Sequence, residues 1–321
     1  MQAHDVFVGV DVAKATLSCC IHGRSGQQDL LNDEASIVNW LATLPASAAV
    51  AVESTGKYHQ AVVRLAHGSG RAAYVLNARD VFFYAKALGV RAKTDRTDAQ
   101  IIASYLAVHQ GELKAWAPAT PLQARVRDLL RCRAGVSAKR SSLQMVLRDV
   151  RGLESAVEAL DQRFDALLSE IDSQISSQLE QDEELKRSRA LLRTITGVGP
   201  QASAMFTSLL SRVPFANVDA LIAFTGLDPR PNDSGTKTGK RRITKRGNPE
   251  LRRQLYLCAF AASHSKAFGP VYRSIKARGF KPTEALVILG RKILRIIWAV
   301  WSSKMPFDPS RFAPPAACAK T

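Results

Sequence analysis

Cysteine and histidine are scarce in this chain. Five cysteines (Cys19, Cys20, Cys132, Cys258, Cys318) and six histidines are scattered over 321 residues. No Cys-x-x-Cys pair occurs, so the spacing offers no zinc site. An odd, dispersed set of thiols suits a reducing compartment, and the expectation is a cytoplasmic protein. Long uncharged apolar runs are also missing. The most apolar late stretch, residues 285–301, is cut by Arg291, Lys292 and Arg295 and reads as a core helix rather than a membrane span. No basic, apolar, small-residue leader precedes the first strand at about Val6. Acid is scarce toward the C-terminus: from Lys186 onward there are 25 Lys and Arg against 6 Asp and Glu.

That deficit defines the charge pattern. The formal net charge is +17, which favours a polyanionic partner, nucleic acid before membrane. Residues 153–185 run the other way, with 10 acids and one base, so an acidic middle separates two basic segments. The 46% hydrophobic content is that of a folded chain, and the length gives room for more than one domain.

Three short stretches carry carboxylates in a pattern. Asp11 ends the apolar run Val6-Phe7-Val8-Gly9-Val10, and Glu53 ends Ala49-Val50-Ala51-Val52. Both runs read as buried strands. Asp95 and Asp98 open a helical pattern continuing through Ile101, Ile102, Tyr105 and Leu106, and residues three apart share a helix face. An isolated Asp at a strand end is usually a turn residue or a cap. Strand-Asp, strand-Glu and helix-Asp-x-x-Asp within one α/β segment is more specific. Four gathered acids need a cation between them, and oxygen-only ligands suit Mg²⁺, with Mn²⁺ as a substitute. Two such ions stabilise the attacking and leaving oxygens of phosphoryl transfer.

Around these acids, residues 1 to about 110 alternate strands and helices. Three early strands (to Val12, 15–21, 28–32) precede strand-helix units, with acids at the ends of the first and fourth strands. That is the pattern of a ribonuclease-H-like α/β domain, here assigned to residues 1–115. Pro118 to Pro121 breaks the chain. A long helical region is predicted from about Leu122 to Leu192, with weak points at Gly135 and Gly152. Its later half repeats apolar residues from Leu143 to Leu179 at steps of three and four, the period of a coiled-coil seam. The seam needs a partner: a second copy, or a hairpin folded back within the chain.

The last third is expected to be mainly helical. Thr194-Ile195-Thr196-Gly197-Val198-Gly199-Pro200 lies between two helical runs. Gly197 and Gly199 permit a tight turn whose backbone N–H groups meet a phosphate, as in a helix-hairpin-helix, although such turns also simply link helices. Six of the ten residues from Lys237 to Arg246 are basic: Lys237, Lys240, Arg241, Arg242, Lys245 and Arg246. This tract, with Arg252 and Arg253 at the next helix start, reads as a phosphate-binding surface. Ser234-Gly235 sits at its edge. A loop Ser-Gly reads by itself as a turn; nearby cations are what would activate it as a nucleophile. Helices are predicted from Leu251 to about His264 and from Glu284 to Lys304, packed together, with a frayed tail after Phe307.

In order, Gly-Val-Asp-Val-Ala-Lys, Glu-Ser-Thr-Gly, Lys-Thr-Asp-Arg-Thr-Asp-Ala, Gly-Val-Gly-Pro, Gly-Leu-Asp-Pro, Ser-Gly and Ile-Thr-Lys-Arg-Gly-Asn resemble the DEDD-type transposases of the insertion-sequence "one-ten" family, relatives of the Piv-type DNA invertases. The resemblance runs from about Val6 to Trp301. It implies a RuvC-like domain whose four acids are Asp11, Glu53, Asp95 and Asp98, binding Mg²⁺. It implies a coiled-coil region at 120–188 that holds dimers together, with tetramers in the synaptic complex. It implies a transposase domain at 189–306 in which Ser234 attacks DNA and forms a 5′-phosphoserine link, in a composite site with the acids of another subunit. A structured bridge RNA would pair with donor and target DNA and choose the sites. Thr244 stands where a serine is frequent and keeps the hydroxyl; Cys19-Cys20 carries no chemistry that the pattern explains.

Two other functions compete. One is a metal-dependent, structure-selective nuclease with water as nucleophile and Ser234 a loop residue. The other is a nucleic-acid-binding protein with structural acids. A covalent protein–DNA adduct through Ser234 separates the first reading from both.

Overall fold

The computed structural model describes residues 4–54, 56–90, 94–230, 234, 239 and 241–312. The chain divides into two compact units, Met1–Pro118 and Ala119–Thr321. The tail expected to fray lies mostly outside the described residues.

In the first unit, β1 (Val6–Val12), β2 (Thr16–Ile21) and β3 (Gln28–Leu31) form an antiparallel meander. β4 (Ala48–Glu53) and β5 (Ala72–Leu76) add in parallel on the other side of β1, giving the order β3-β2-β1-β4-β5. The parallel steps need crossovers, supplied by α1 (Glu34–Thr43) before β4 and α2 (Gln60–Gly68) before β5. A central first strand with the meander on one side and a parallel pair on the other is the ribonuclease-H-like topology that the pattern predicts. α3 (Ala78–Ala87) follows β5, and α4 (Asp95–His109) follows α3. β4 is a continuous apolar run because both its faces are covered. Val50 and Val52 join Ile37, Trp40, Leu41, Val62 and Val63 of α1 and α2; Ala49 and Ala51 join Ile101, Ile102 and Leu106 of α4.

The second unit opens with α5 (Pro121–Leu147), whose start is fixed by a capping box between Thr120 and Gln123 with Pro121 at the first helical position. The single long helical region expected from 122 to 192 is three helices. The chain turns at 148–153, where Gly152 takes φ +82°, and α6 (Glu154–Glu180) returns antiparallel along α5. α5 runs straight through Gly135. Charge explains the pairing: the acidic stretch is one side of a ladder to α5. Arg133 holds Asp172 (2.9 Å to Oδ2), Arg140 holds Asp161 and Asp165, and Arg125 donates to Gln174. The apolar seam is therefore divided. Ile171, Ile175 and Leu179 are buried with Val126 and Leu129 of α5, whereas Leu153, Leu160 and Leu167 stay exposed toward the far end.

Removing Arg133's partner tests the ladder. The Arg133 side chain is 11% exposed, so Asp172→Asn leaves a largely buried guanidinium without its counter-charge. The expected cost is about 1.5–3 kcal/mol, toward the lower end because the Asp172 side chain is itself 36% exposed. Urea unfolding followed by circular dichroism reads it as an earlier transition. An unchanged midpoint would mean that the apolar base alone holds the hairpin.

Beyond the hairpin lie α7 (Glu183–Arg193), α8 (Pro200–Arg212), α9 (Val218–Thr225), a two-stranded ribbon of β6 (Pro229–Arg230) and β7 (Arg242–Ile243), α10 (Pro249–Ser263), α11 (Gly269–Ala277) and α12 (Pro282–Ser303). α10 and α12 pack together, as predicted, around Leu251, Leu255, Cys258, Leu289, Ile293 and Ile297. Among the described residues no helix is long and apolar enough to cross a membrane.

Candidate active site

Parallel pairing of β1 with β4 sets Val10 beside Val52, so one step further Asp11 and Glu53 are neighbours at the carboxyl ends of the two strands. Which face they use follows from strand alternation. Gly9 lies directly under α4: a Cβ there would come 2.1 Å from the Ala99 carbonyl oxygen and 2.3 Å from the Ala103 nitrogen. Asp11 is two residues beyond Gly9 and Glu53 two beyond Ala51, so both belong to the face that α4 covers. α4 descends from that end. Its later residue Ser104 meets His22, whose backbone N–H donates to Phe7 at the start of β1. Its first turn therefore lies toward Asp11. That turn is fixed by Thr94, whose hydroxyl accepts from the Thr97 N–H at 3.2 Å, and it carries Asp95 and Asp98.

Asp11, Glu53 and Asp98 are half-buried and Asp95 is exposed. Asp11 also accepts from the Val12 N–H at 3.1 Å. The backbone thus brings two strand acids and two helix acids to one edge. Among the described residues no three His, Cys, Asp or Glu side chains are gathered into a ready-made chelate. The donor chemistry fits a hard divalent cation: every acid at this edge offers oxygen only.

The second unit builds a different feature around Ser234. β6 pairs antiparallel with β7, Pro229 with Ile243 and Arg230 with Arg242, so the intervening span that carries Ser234 leaves from and returns to one ribbon. Below it two motifs are knotted backbone to backbone. Thr244 donates its N–H to the Asp228 carbonyl (3.1 Å) and its hydroxyl to the Asp228 carboxylate; the Lys245 N–H donates to Gly226 (3.0 Å). Gly226, at φ +70°, would place a Cβ 2.1 Å from the Arg246 carbonyl oxygen, and Gly247 would place one 2.1 Å from that of Phe224. Lys245 takes the left-handed conformation at φ +56°, which a non-glycine residue adopts at a cost. The Arg252 guanidinium bridges both strands of the knot, donating to Thr225 (3.1 Å) and Gly247 (3.0 Å).

Two residues predicted to contact phosphate have protein partners. Arg252 is engaged by carbonyl oxygens. Arg253 is paired bidentately with Glu250, at 2.7 Å through each nitrogen. Burial pushes the Glu250 carboxyl up, but hydrogen bonds from Arg253 and Gln254 outweigh it and hold the group below its ordinary value. Both arginines thus contribute to the scaffold, and Arg253 is exposed. Ser234, Arg241, Arg242, Lys245 and Arg246 are on the surface, while Lys237 and Lys240 lie outside the described residues.

The Gly-Val-Gly-Pro turn links α7 to α8, and its first glycine faces protein. A Cβ on Gly197, at φ +91°, would come 2.5 Å from the Cys258 carbonyl oxygen on α10. Burial raises the Cys258 thiol to about 12 despite hydrogen bonding from Gly199. Gly199 is exposed as the N-cap of α8, and its N–H turns inward to the Cys258 sulfur.

Three parts of this construction escape the sequence reading: Gly9 as the seat of α4, the Gly226–Gly247 knot, and Arg252 as its clasp. The signal for the first is a glycine inside an apolar strand, which marks close backbone approach.

An α/β unit with carboxylates converging at the strand ends, followed in one chain by a basic, serine-bearing helical unit, defines an enzyme class that works on nucleic-acid strands. Comparison gives the family. A transposase model of the DEDD type matches residues 8–151, and the model described as "Transposase IS116/IS110/IS902 family" matches residues 189–273. The chain belongs to the IS110-type transposase family and is an enzyme of that class. The "Pilin gene-inverting protein" of Moraxella bovis is 24% identical over 320 residues, covering 94% of this chain and 97% of its own. A protein of insertion element IS116 from Streptomyces clavuligerus is 30% identical over 129 residues, 39% of this chain and 31% of its own. Thermus thermophilus RuvC, solved with a Holliday junction substrate, is 18% identical and matches 35% of this chain and 100% of its own at a TM-score of 0.28.

Proposed function

We propose that this chain cuts and rejoins donor and target DNA as an RNA-guided transposase, with Ser234 as nucleophile and the acid edge of the first unit as a divalent-cation site. The observation that carries the reading is the register of β1 and β4 beneath α4, which sets Asp11 and Glu53 on the face where α4 begins with Asp95 and Asp98. Those four carboxylates would hold Mg²⁺ (or Mn²⁺), which supplies Lewis-acid stabilisation of the attacking and leaving oxygens when bound.

The chain's own residues do the rest. Ser234 Oγ attacks the scissile phosphorus; the Oγ–P bond forms as the P–O3′ bond breaks. The serine proton passes to solvent and the departing 3′ oxygen takes one up. A 3′-hydroxyl from a second strand then attacks the phosphoserine, forms a new P–O3′ bond and regenerates Ser234. One ester bond is made for each one broken, so no external energy is needed. Arg241, Arg242, Lys245 and Arg246, with Lys237 and Lys240, neutralise backbone phosphates, which makes binding strongly salt-dependent. A bridge RNA selects the sites by pairing. The far end of the α5–α6 hairpin, with Met145, Val146, Leu153, Leu160 and Leu167 exposed, is the surface proposed to join copies into dimers and tetramers. The setting is the bacterial cytoplasm.

The test is an adduct trap. Purified protein is mixed with the element's flanking RNA, donor and target DNA and Mg²⁺, and denatured before electrophoresis. A DNA-linked protein band is expected from wild type and is absent from Ser234→Ala. Cleaved DNA without an adduct, unchanged by Ser234→Ala, would shift the assignment to a water-using nuclease.

A further inference from the structure

The outward face of α3 is aromatic and basic. The helix fully buries one residue, Val81. Phe82 and Phe83 are 53% and 47% exposed, with their rings edge to face at 5.5 Å. Each ring carries a cation: the Arg79 guanidinium lies 5.6 Å from the Phe83 centroid and the Lys86 ammonium 4.7 Å from that of Phe82. Leu88, 54% exposed, extends the apolar surface. Adjacent exposed phenylalanines forgo burial that a monomer would otherwise use, and such patches mark contact sites.

Charge decides the occupant: the cations seated on the two rings are Arg79 and Lys86, and the acid on the helix is Asp80 alone. Rings interleaved with cations suit unpaired nucleotides, whose bases stack while their phosphates meet the cations. A duplex keeps its bases stacked on one another and offers the rings nothing. α3 also lies beside α4, Tyr84 against Tyr105 at 5.2 Å, and so on the side of the sheet to which the four acids belong.

We infer that the Phe82–Phe83 face of α3 is a stacking platform for unpaired DNA bases next to the acid edge. The inference rests on the reading that this edge acts on DNA: strand exchange must unpair bases near the scissile phosphate, and α3 holds them out of the duplex.

The test is fluorescence anisotropy with the full chain in EDTA, so that cleavage plays no part. The probes are a labelled 20-nucleotide oligo-dT, a 20-base-pair duplex and a 20-nucleotide oligo-U. The paired substitution Phe82→Ala/Phe83→Ala is expected to weaken oligo-dT binding at least tenfold and duplex binding less than twofold. Phe82→Tyr/Phe83→Tyr restores it, and the mass by light scattering stays that of wild type. No loss on oligo-dT overturns the inference, as does an equal loss on the duplex or on oligo-U. A changed oligomeric mass in the alanine pair also overturns it and makes the face a contact between copies. Because the readout needs neither Asp11 nor Ser234, failure of the cleavage mechanism would show separately, in the adduct trap, and failure of the platform would leave that mechanism standing.

Discussion

Asp11→Asn is expected to abolish DNA strand cleavage, by at least about a thousandfold, while the protein melts at the wild-type temperature or slightly above it. The substitution keeps shape and removes one negative charge. A thousandfold loss is about 4 kcal/mol of transition-state stabilisation, within the range that a bound divalent ion contributes at attacking and leaving oxygens. Stability moves the other way because Asp11 and Glu53 end adjacent parallel strands and like charges so placed repel. Glu53→Gln should behave similarly. The measurement is single-turnover cleavage of a labelled donor at saturating protein, paired with a thermal melt. Cleavage by Asp11→Asn within tenfold of wild type would make the acids structural and remove the cation site from the mechanism.

Gly9→Val should cost the first unit its native packing. The obstacle is backbone: the Ala99 oxygen at 2.1 Å and the Ala103 nitrogen at 2.3 Å belong to a helix and cannot rotate aside as a side-chain tip could. α4 must lift off β1, separating Ile101, Ile102 and Leu106 from Ala49 and Ala51. Overpacking ordinarily costs about 1–3 kcal/mol; displacing a buried helix puts even Gly9→Ala at the top of that range and Gly9→Val beyond it. Hydrogen exchange resolved by peptide should show protection lost across β1, β4 and α4 and kept in the second unit. Gly68→Ala is the control: it lies in a helix with open space around it, so it should be neutral or stabilising by up to about 1 kcal/mol. Wild-type exchange in Gly9→Ala would mean that α4 does not sit where described.

The first unit was legible because its signals are local. Apolar alternation and turn residues mark each strand, and an acid at the end of Val6–Val10 and another at the end of Ala49–Val52 need only pairing to become neighbours. The pairing partner of a helix is less local. The seam from Leu143 to Leu179 has the right period for a second copy. What turned it inward was the ladder of Arg133 and Arg140 to Asp172, Asp161 and Asp165, a matter of sign and register across 21 to 39 residues. Arg252 and Arg253 are ambiguous for a related reason. A basic residue reads the same in sequence whether it meets phosphate, a carboxylate or a carbonyl, and Glu250 and the Gly247 carbonyl compete for these two.

The knot beneath Ser234 has a consequence for how this region tolerates change. Its described grip joins residues 224–230 to 242–247 and is made from main-chain atoms, the Thr244–Asp228 side-chain bond and one arginine clasp. Lengthening a loop between two such anchors costs little, about 0.6 kcal/mol per doubling. Insertions in the span from 231 to 241 should therefore leave the anchors themselves in place. A library of such insertions should yield folded protein almost throughout, so differences in recombination among its members will report chemistry and not expression.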